Sequence, residues 1–181
     1  AEITALKKIL GLEQNKKYND VGNLRYGSIM ILTDQDHDGS HIKGLLFNVF
    51  QSLWPSLYKI DGFLTSMLTP IIKASKGTEV ISFYNMSDYE KWAQSAGHQG
   101  SWKIKYYKGL GTSKEDEAKE YFKQLKITTY HYSGKESDES LDLAFNKKRP
   151  DDRKEWLKKY DREKVLDYSK PKVPYEEFVD K

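Results

Sequence analysis

The 181 residues carry 30 Lys+Arg against 27 Asp+Glu, a formal charge of +3 at pH 7, with 38% hydrophobic and 13% aromatic residues and no cysteine. Such a chain can bury one core; the missing cysteines exclude disulfides and thiolate metal sites, and the balanced charge does not by itself demand a polyanionic partner. No apolar run approaches the roughly 18 residues of a membrane-spanning helix, and the opening AEITALKKILG has neither the apolar core nor the cleavage site of a secretory leader.

In chain order, Ile3, Leu6 and Leu10 ahead of Gly11 predict a short helix with a glycine stop. SIMIL, residues 28–32, is a continuous apolar run, the pattern of a strand buried on both faces of a parallel sheet. Beyond Gly39 and Ser40, Ile42, Leu45, Leu46, Val49, Phe50, Leu53, Trp54 and Leu57 fall three or four apart, one stripe of an amphipathic helix that Pro55 should kink or end. FLTSMLTPIIKAS and TEVISFYN read as strands, with Pro70 at an edge or bulge of the first. Ser87 with Glu90 three residues on forms a capping box for the helix DYEKWAQSA.

WKIKYY then reads as a strand, KGLGTS as a turn, and KEDEAKEYFKQL as a helix with Ala118, Tyr121, Phe122 and Leu125 on one face. From about residue 137 the chain is charged and helical in pattern, before SKPKVPYEEF turns extended around two prolines; a domain boundary is placed near residue 146. The start on Ala and the end at PYEEFVDK suit a piece of a longer protein.

The stretch ILTDQDHDGSHIKG, residues 31–44, concentrates charge at the end of the apolar strand. In an extended segment Asp34, Asp36 and Asp38 would face one side at intervals of about 6.6 Å. Three carboxylates held so close repel one another unless a hard cation joins them. Mg²⁺ needs only one or two protein carboxylates and keeps positions for water and phosphate oxygens. The carboxyl end of a parallel strand, ahead of a helix whose first N–H groups are free, is also where α/β sheets bind anionic ligands. A solvated Asp/Gly turn is the plain alternative. An EF-hand matches from Asp34 to Gly39 but fails at its twelfth position, where Leu45 replaces the bidentate Glu. Zinc on His37 and His41 would need a helix between them, which DHDGS does not predict.

Four blocks in order, RYGSIMILTDQDHDGSHIKGLL, LTPIIK, WKIKYYKGLGTSKEDEAKEYF and LAFNKKRPDDRKEWL, resemble the TOPRIM domain of the eukaryotic type IIA DNA topoisomerases and the segment leaving it. The resemblance implies an α/β fold, a Rossmann-like parallel sheet flanked by helices over residues 1–146, and a charged helical extension over 147–181 leading towards a winged-helix domain. It implies that Asp34 and Asp36 hold Mg²⁺, for which Mn²⁺ or Ca²⁺ can substitute, with Asp38 as the third acid of the motif. The implied chemistry is transesterification: a tyrosine attacks a phosphodiester of double-stranded DNA, a covalent 5′-phosphotyrosine forms, and the metal stabilises charge on the reacting oxygens. One duplex passes through the break in another, in a nuclear homodimer that uses ATP when full-length.

Two parts of that machine are absent from the sequence. One is a metal-binding glutamate in a Glu-Gly-Asp-Ser-Ala motif; the other is the nucleophile, which none of the 13 tyrosines matches, Tyr106 and Tyr107 reading as strand residues. The chain alone is therefore expected to be inactive. Further DNA contacts are expected at Lys108 and Gly109 in YYKGLGTS, which lacks the Walker pattern of nucleotide sites. Arg153 and Lys154 in KKRPDDRKEWLKK are the others, together with His41; a mixed run of this kind is otherwise a solvated helix. Alternatives are another TOPRIM enzyme, a primase or nuclease, or a cation- or DNA-binding module without chemistry.

Overall fold

Helix α1 (Glu2–Leu10) ends as its sequence predicts: Gly11 takes a left-handed conformation, φ 75°, and its N–H reaches back to Lys7 O. It opens a computed structural model that describes residues 1–95, 102–107, 109–161 and 164–180. Strand β1 (Ile29–Ile31) follows and leads through the aspartate loop into α2 (His37–Leu53). Trp54 ends α2, and Pro55 starts the short α3 (Pro55–Tyr58) at a first-turn position where its missing N–H costs nothing.

FLTSMLTPIIKAS, one strand in the sequence reading, divides into β2 (Leu64–Met67) and β3 (Ile72–Lys76), with Pro70 in the break. The two pieces join different sheets. β2 pairs in parallel with β1, while β3 stands between β4 (Glu79–Phe83) and β5 (Lys103–Tyr106), antiparallel to both. Between these last two lies α4 (Met86–Gln94), whose cap is Asn85, accepting from the Asp88 N–H at 2.8 Å, and not the Ser87 box. Either side chain can cap; the chain uses the first of the two.

Helix α5 (Glu115–Lys123) returns the chain to the larger sheet as β6 (Ile127–His131), antiparallel to β2. Helices α6 (Lys135–Phe145) and α7 (Pro150–Lys158) come next, then β7 (Lys172–Pro174), parallel to β6, and α8 (Tyr175–Asp180). The order β1-β2-β6-β7 contains the expected parallel pairing and one antiparallel junction at its centre. Residues 147–181 are thus more than the expected helical linker. Past α7 the segment re-enters the sheet, and Leu166, Val173 and Tyr175 belong to the same buried cluster as Ile31 and Leu64.

That cluster is built on rings. Phe47 of α2 meets Tyr130, Tyr175 and Phe178 at centroid distances of 4.6, 5.2 and 5.1 Å, offset or edge-on as ring quadrupoles prefer. In this cluster Tyr130 Oη lies 2.9 Å from Ser66 Oγ, and Trp54 Nε1 donates to Glu13 O at 2.9 Å. The stripe read along α2 therefore does face the core through Phe47 and Phe50, although Ile42, Leu45 and Leu53 stay exposed. On α5 the expected apolar face is not buried, Phe122 remaining 58% exposed.

Candidate metal and DNA site

β1 delivers the chain to Leu32 at the edge of the sheet, and the next residues turn at once into a helix. Asp36 is the N-cap of α2, its Oδ1 accepting the Gly39 N–H at 2.8 Å. A capping carboxylate is worth about 1 kcal/mol there and suits the positive end of the helix. Because the helix begins at His37, Asp38 lies in its first turn, and the extended geometry expected for the three aspartates stops at Asp36. Among the described residues no three His or carboxylate side chains are gathered into a metal cage. Asp34 is half-buried; Asp36 and Asp38 are exposed.

Two glycines shape the loop around Asp34. A Cβ on Gly39 would overlap the Asp34 carbonyl and come within 2.8 Å of its carbon, so the helix can start this close to Asp34 only with glycine in its third position. Gly109 faces the Asp34 side chain. Its φ is 152°, and a Cβ there would fall within 2.6 Å of Oδ1 and nearer still to Cγ and Oδ2. The conformation and the space both require glycine. The two motifs singled out in the sequence are thereby in contact, Gly109 lying against the Asp34 carboxylate. The Gly109 carbonyl is fixed by Thr112, whose N–H and hydroxyl both donate to it, at 3.2 and 2.7 Å. Lys108 lies outside the described residues.

The donor set fits Mg²⁺ in kind. Asp34 and Asp36 supply hard carboxylate oxygens, Asp36 keeps Oδ2 outside its capping bond, and glycine at 109 leaves the Asp34 carboxylate the place a Cβ would take. His37 and His41 are one helical turn apart after all, both exposed; His41 stacks on Phe145 with rings 6.0 Å apart and coplanar.

A cleft of about 930 Å³ runs from this loop to the C-terminal segment. Gln35, Asp36, His37 and Ser40 form one wall, and Trp156, Tyr160, Lys164 and Tyr168 the other. Beneath it lies Lys43, which pattern reading missed. It is 1% exposed, with Nζ 3.5 Å from Gln35 Oε1 and over the Phe178 ring at 5.8 Å, and burial pulls its ammonium down to about 8.

The basic run on α7 is largely occupied with its own acids. Arg149 binds Glu139, Asp142 and Asp152 at 2.6, 2.9 and 2.7 Å. Arg153 Nη1 donates to the carbonyls of Leu143 and Asn146, at 3.1 and 2.6 Å, closing the open end of α6. Its expected role as a phosphate contact competes with that tie. Lys154 pairs with Asp151 at 2.9 Å, both well exposed, the arrangement of a solvated helix face.

Residues 67–181 match the family model described as the C-terminal associated domain of TOPRIM. DNA topoisomerase 2 of Saccharomyces cerevisiae is 52% identical over 186 residues, covering 100% of this chain and 13% of that protein. The enzyme of the same name from Arabidopsis thaliana is 52% identical over 185 residues, 99% of this chain and again 13% of its own length. A crystal structure of the Plasmodium falciparum topoisomerase II DNA-binding, cleavage and re-ligation domain superposes with a TM-score of 0.93 at 44% identity, covering 99% of this chain and 25% of that one. The chain spans about an eighth of the length of the curated relatives it matches.

Proposed function

Because the chain belongs to the DNA topoisomerase 2 family, we propose that it supplies the metal-binding part of a site that cuts and reseals double-stranded DNA, with Asp34 and Asp36 as its ligands for Mg²⁺. The observation that carries this reading is the contact between Gly109 and the Asp34 carboxylate, which sits where a side chain at position 109 would have to go and so is held in place at the end of β1. Bound there, the ion supplies positive charge to phosphate oxygens as charge develops on them. Mn²⁺ and Ca²⁺ are oxygen-seeking substitutes.

The chain's own residues orient and screen. Gly39 and the cap on Asp36 lock the loop to α2, so the first turn of a 17-residue helix directs its N–H groups and partial positive charge towards a bound phosphate. Asp38 faces solvent from that same first turn and acts on the ion through water. His41, Lys108, Gly109 and Lys154 are the groups we assign to the DNA backbone, with Arg153 sharing its guanidinium between DNA and α6. Phosphate contacts of this sort position a duplex without reading its sequence.

In the complete protein the nucleophilic tyrosine comes from a winged-helix domain, in a homodimer whose strand passage consumes ATP in the nucleus. The 181 residues by themselves make no break in DNA. A primase-like or non-catalytic role is disfavoured by the continuity of the relatives' likeness across the whole chain.

The test is Mn²⁺ titration by calorimetry on the 181-residue chain. Asp36→Ala would remove a helix cap as well as a ligand, so the informative variants are Asp34→Asn and Asp36→Asn, since Asn caps as well as Asp. Each is expected to weaken Mn²⁺ binding by about tenfold or more while leaving the melting temperature nearly unchanged. Unaltered affinity in both variants rules the assignment out.

A further inference from the structure

Gly109 meets Asp34, and the described residues on either side of it are tied to one carboxylate. Glu117, in the first turn of α5, accepts the Tyr107 hydroxyl on Oε1, the Lys114 N–H on Oε2 at 2.8 Å, and the Lys105 ammonium on both oxygens at 2.9 and 2.8 Å. Tyr107 lies two residues before Gly109, and Lys114 is the N-cap of α5 at the far end of the turn. One side chain thus ties together the two ends of the segment whose middle meets Asp34.

The anchor points are themselves fixed. The Tyr107 N–H donates to Ile71 O at 2.8 Å, its ring lies under the Lys105 ammonium at 4.5 Å, and Lys73 reaches from β3 to Glu120 at 3.1 Å, clamping α5 to the sheet a second time. Burial acts to raise the Glu117 carboxyl. The Lys105 ammonium, the Lys114 N–H and the Tyr107 hydroxyl outweigh it and hold the group down at about 2, so it is ionised throughout the working range of an enzyme. Burial, and then the same hydroxyl bond to Glu117, push the Tyr107 phenol up and keep it a donor.

We infer that Glu117 is a positioning residue for the metal site: by closing the 107–114 turn it sets how closely Gly109 approaches the Asp34 carboxylate, and hence how well that carboxylate holds a divalent cation. The inference rests on the metal reading of Asp34 but assigns a role to a residue that touches neither metal nor DNA. Partners of this kind, which orient a ligand without being one, typically change metal affinity by about 10- to 100-fold.

The experiment is a double-mutant cycle in Mn²⁺ affinity on the 181-residue chain, with melting temperature followed in parallel. Glu117→Ala should weaken binding about tenfold. Glu117→Gln, which keeps an acceptor oxygen for one donor, should recover part of the loss. In an Asp34→Asn background Glu117→Ala should add less than about twofold, because its effect passes through Asp34. Tyr107→Phe, deleting one hydroxyl at nearly constant volume, gives a second route if Glu117→Ala unfolds α5; about a threefold loss is expected. Full affinity in folded Glu117→Ala or Tyr107→Phe overturns the inference, and so does an undiminished effect in the Asp34→Asn background. Full affinity in Asp34→Asn overturns the inference too, and full affinity in Asp36→Asn as well overturns the metal reading; both are visible before Glu117 is altered.

Discussion

The four-stranded sheet is held by rings taken wholly out of water, Phe47, Phe50, Tyr58, Tyr130 and Tyr175 each at 1% exposure or less. Among the described residues, the three-stranded sheet buries Ile72, Ala74 and Phe83 in its core and adds the Lys73–Glu120 and Lys105–Glu117 pairs across to α5. Half-exposed ion pairs weaken as salt screens them and as their acids are protonated, whereas apolar contacts carry no charge of their own to screen or titrate. The site draws one element from each regime. Asp34 comes from the rigid sheet, and Gly109 hangs from the responsive one. The carboxylate we propose as a metal ligand is thereby fixed on a stable platform, while its cover is set by groups that solution conditions can loosen.

The widest separation between the two sheets should appear in core truncation. Phe47→Ala is expected to cost about 3–5 kcal/mol in urea denaturation, since rings on three sides of Phe47 would border the void. Phe83→Ala, at 7% exposure in a three-residue core, should cost about 2 kcal/mol. Equal losses would erase the distinction.

Next in size is Lys43, the one charge among the described residues buried in the ring-rich half. Burial pulls its ammonium down to about 8 from the ordinary 10.5, so between those values the unfolded state binds more protons and stability rises with pH. The gain should approach roughly 3 kcal/mol by pH 10.5. Lys43→Met should be more stable than the parent below pH 8 and lose that advantage across this window, as read by urea midpoints at fixed ionic strength. A parent and variant with parallel pH profiles would mean that Lys43 is not desolvated.

The smallest effect concerns the other sheet. The depressed carboxyl of Glu117 contributes stability that is complete above the ordinary Glu value of 4.5 and lost as pH falls towards about 2. With one fifth of its side chain in contact with water, the contribution is on the order of 1 kcal/mol. Hydrogen exchange, corrected for intrinsic rates, should therefore quicken at Ile104 and Tyr107 across that interval and stay slow at Leu64 and Tyr130. Uniform quickening would assign the acid response to the whole molecule.

The parts of this arrangement that could be read from the residues are those governed by local pattern. The apolar run 28–32 and the spacing from Ile42 to Leu57 predicted β1 and α2, because a buried strand and an amphipathic helix each declare a period. Pro55 divided α2 from α3 as proline must. β6 went unread because ITTYH mixes polar and apolar residues on both faces, its Thr128 being buried beside Tyr130. SKPKVPYEEF reads as extended, but Pro171 just before β7 and Pro174 at its end give no sign of which strand it pairs with. The three aspartates stand out in the sequence, but the pattern does not show that Asp36 caps α2 through one of its oxygens. The meeting of Gly109 with Asp34 and the convergence on Glu117 are tertiary events, and no spacing within a single window carries them.

Helix α2 is also a mechanical part. Its 17 residues make a rod of about 25 Å, with Asp36 at one end and Trp54 at the other. Trp54 is seated at 1% exposure and pinned by its indole to Glu13, and halfway along, Gly44 lets the Phe145 ring approach to a position a Cβ would meet at 2.6 Å. A tilt of only about 5° about the seated end would swing the aspartate end by about 2 Å, and the interlocked rings along its length would have to open a void to permit it. The seat of Trp54 and the notch at Gly44 work as two bearings on one shaft, so the play of the aspartate loop is limited by parts that lie well away from it.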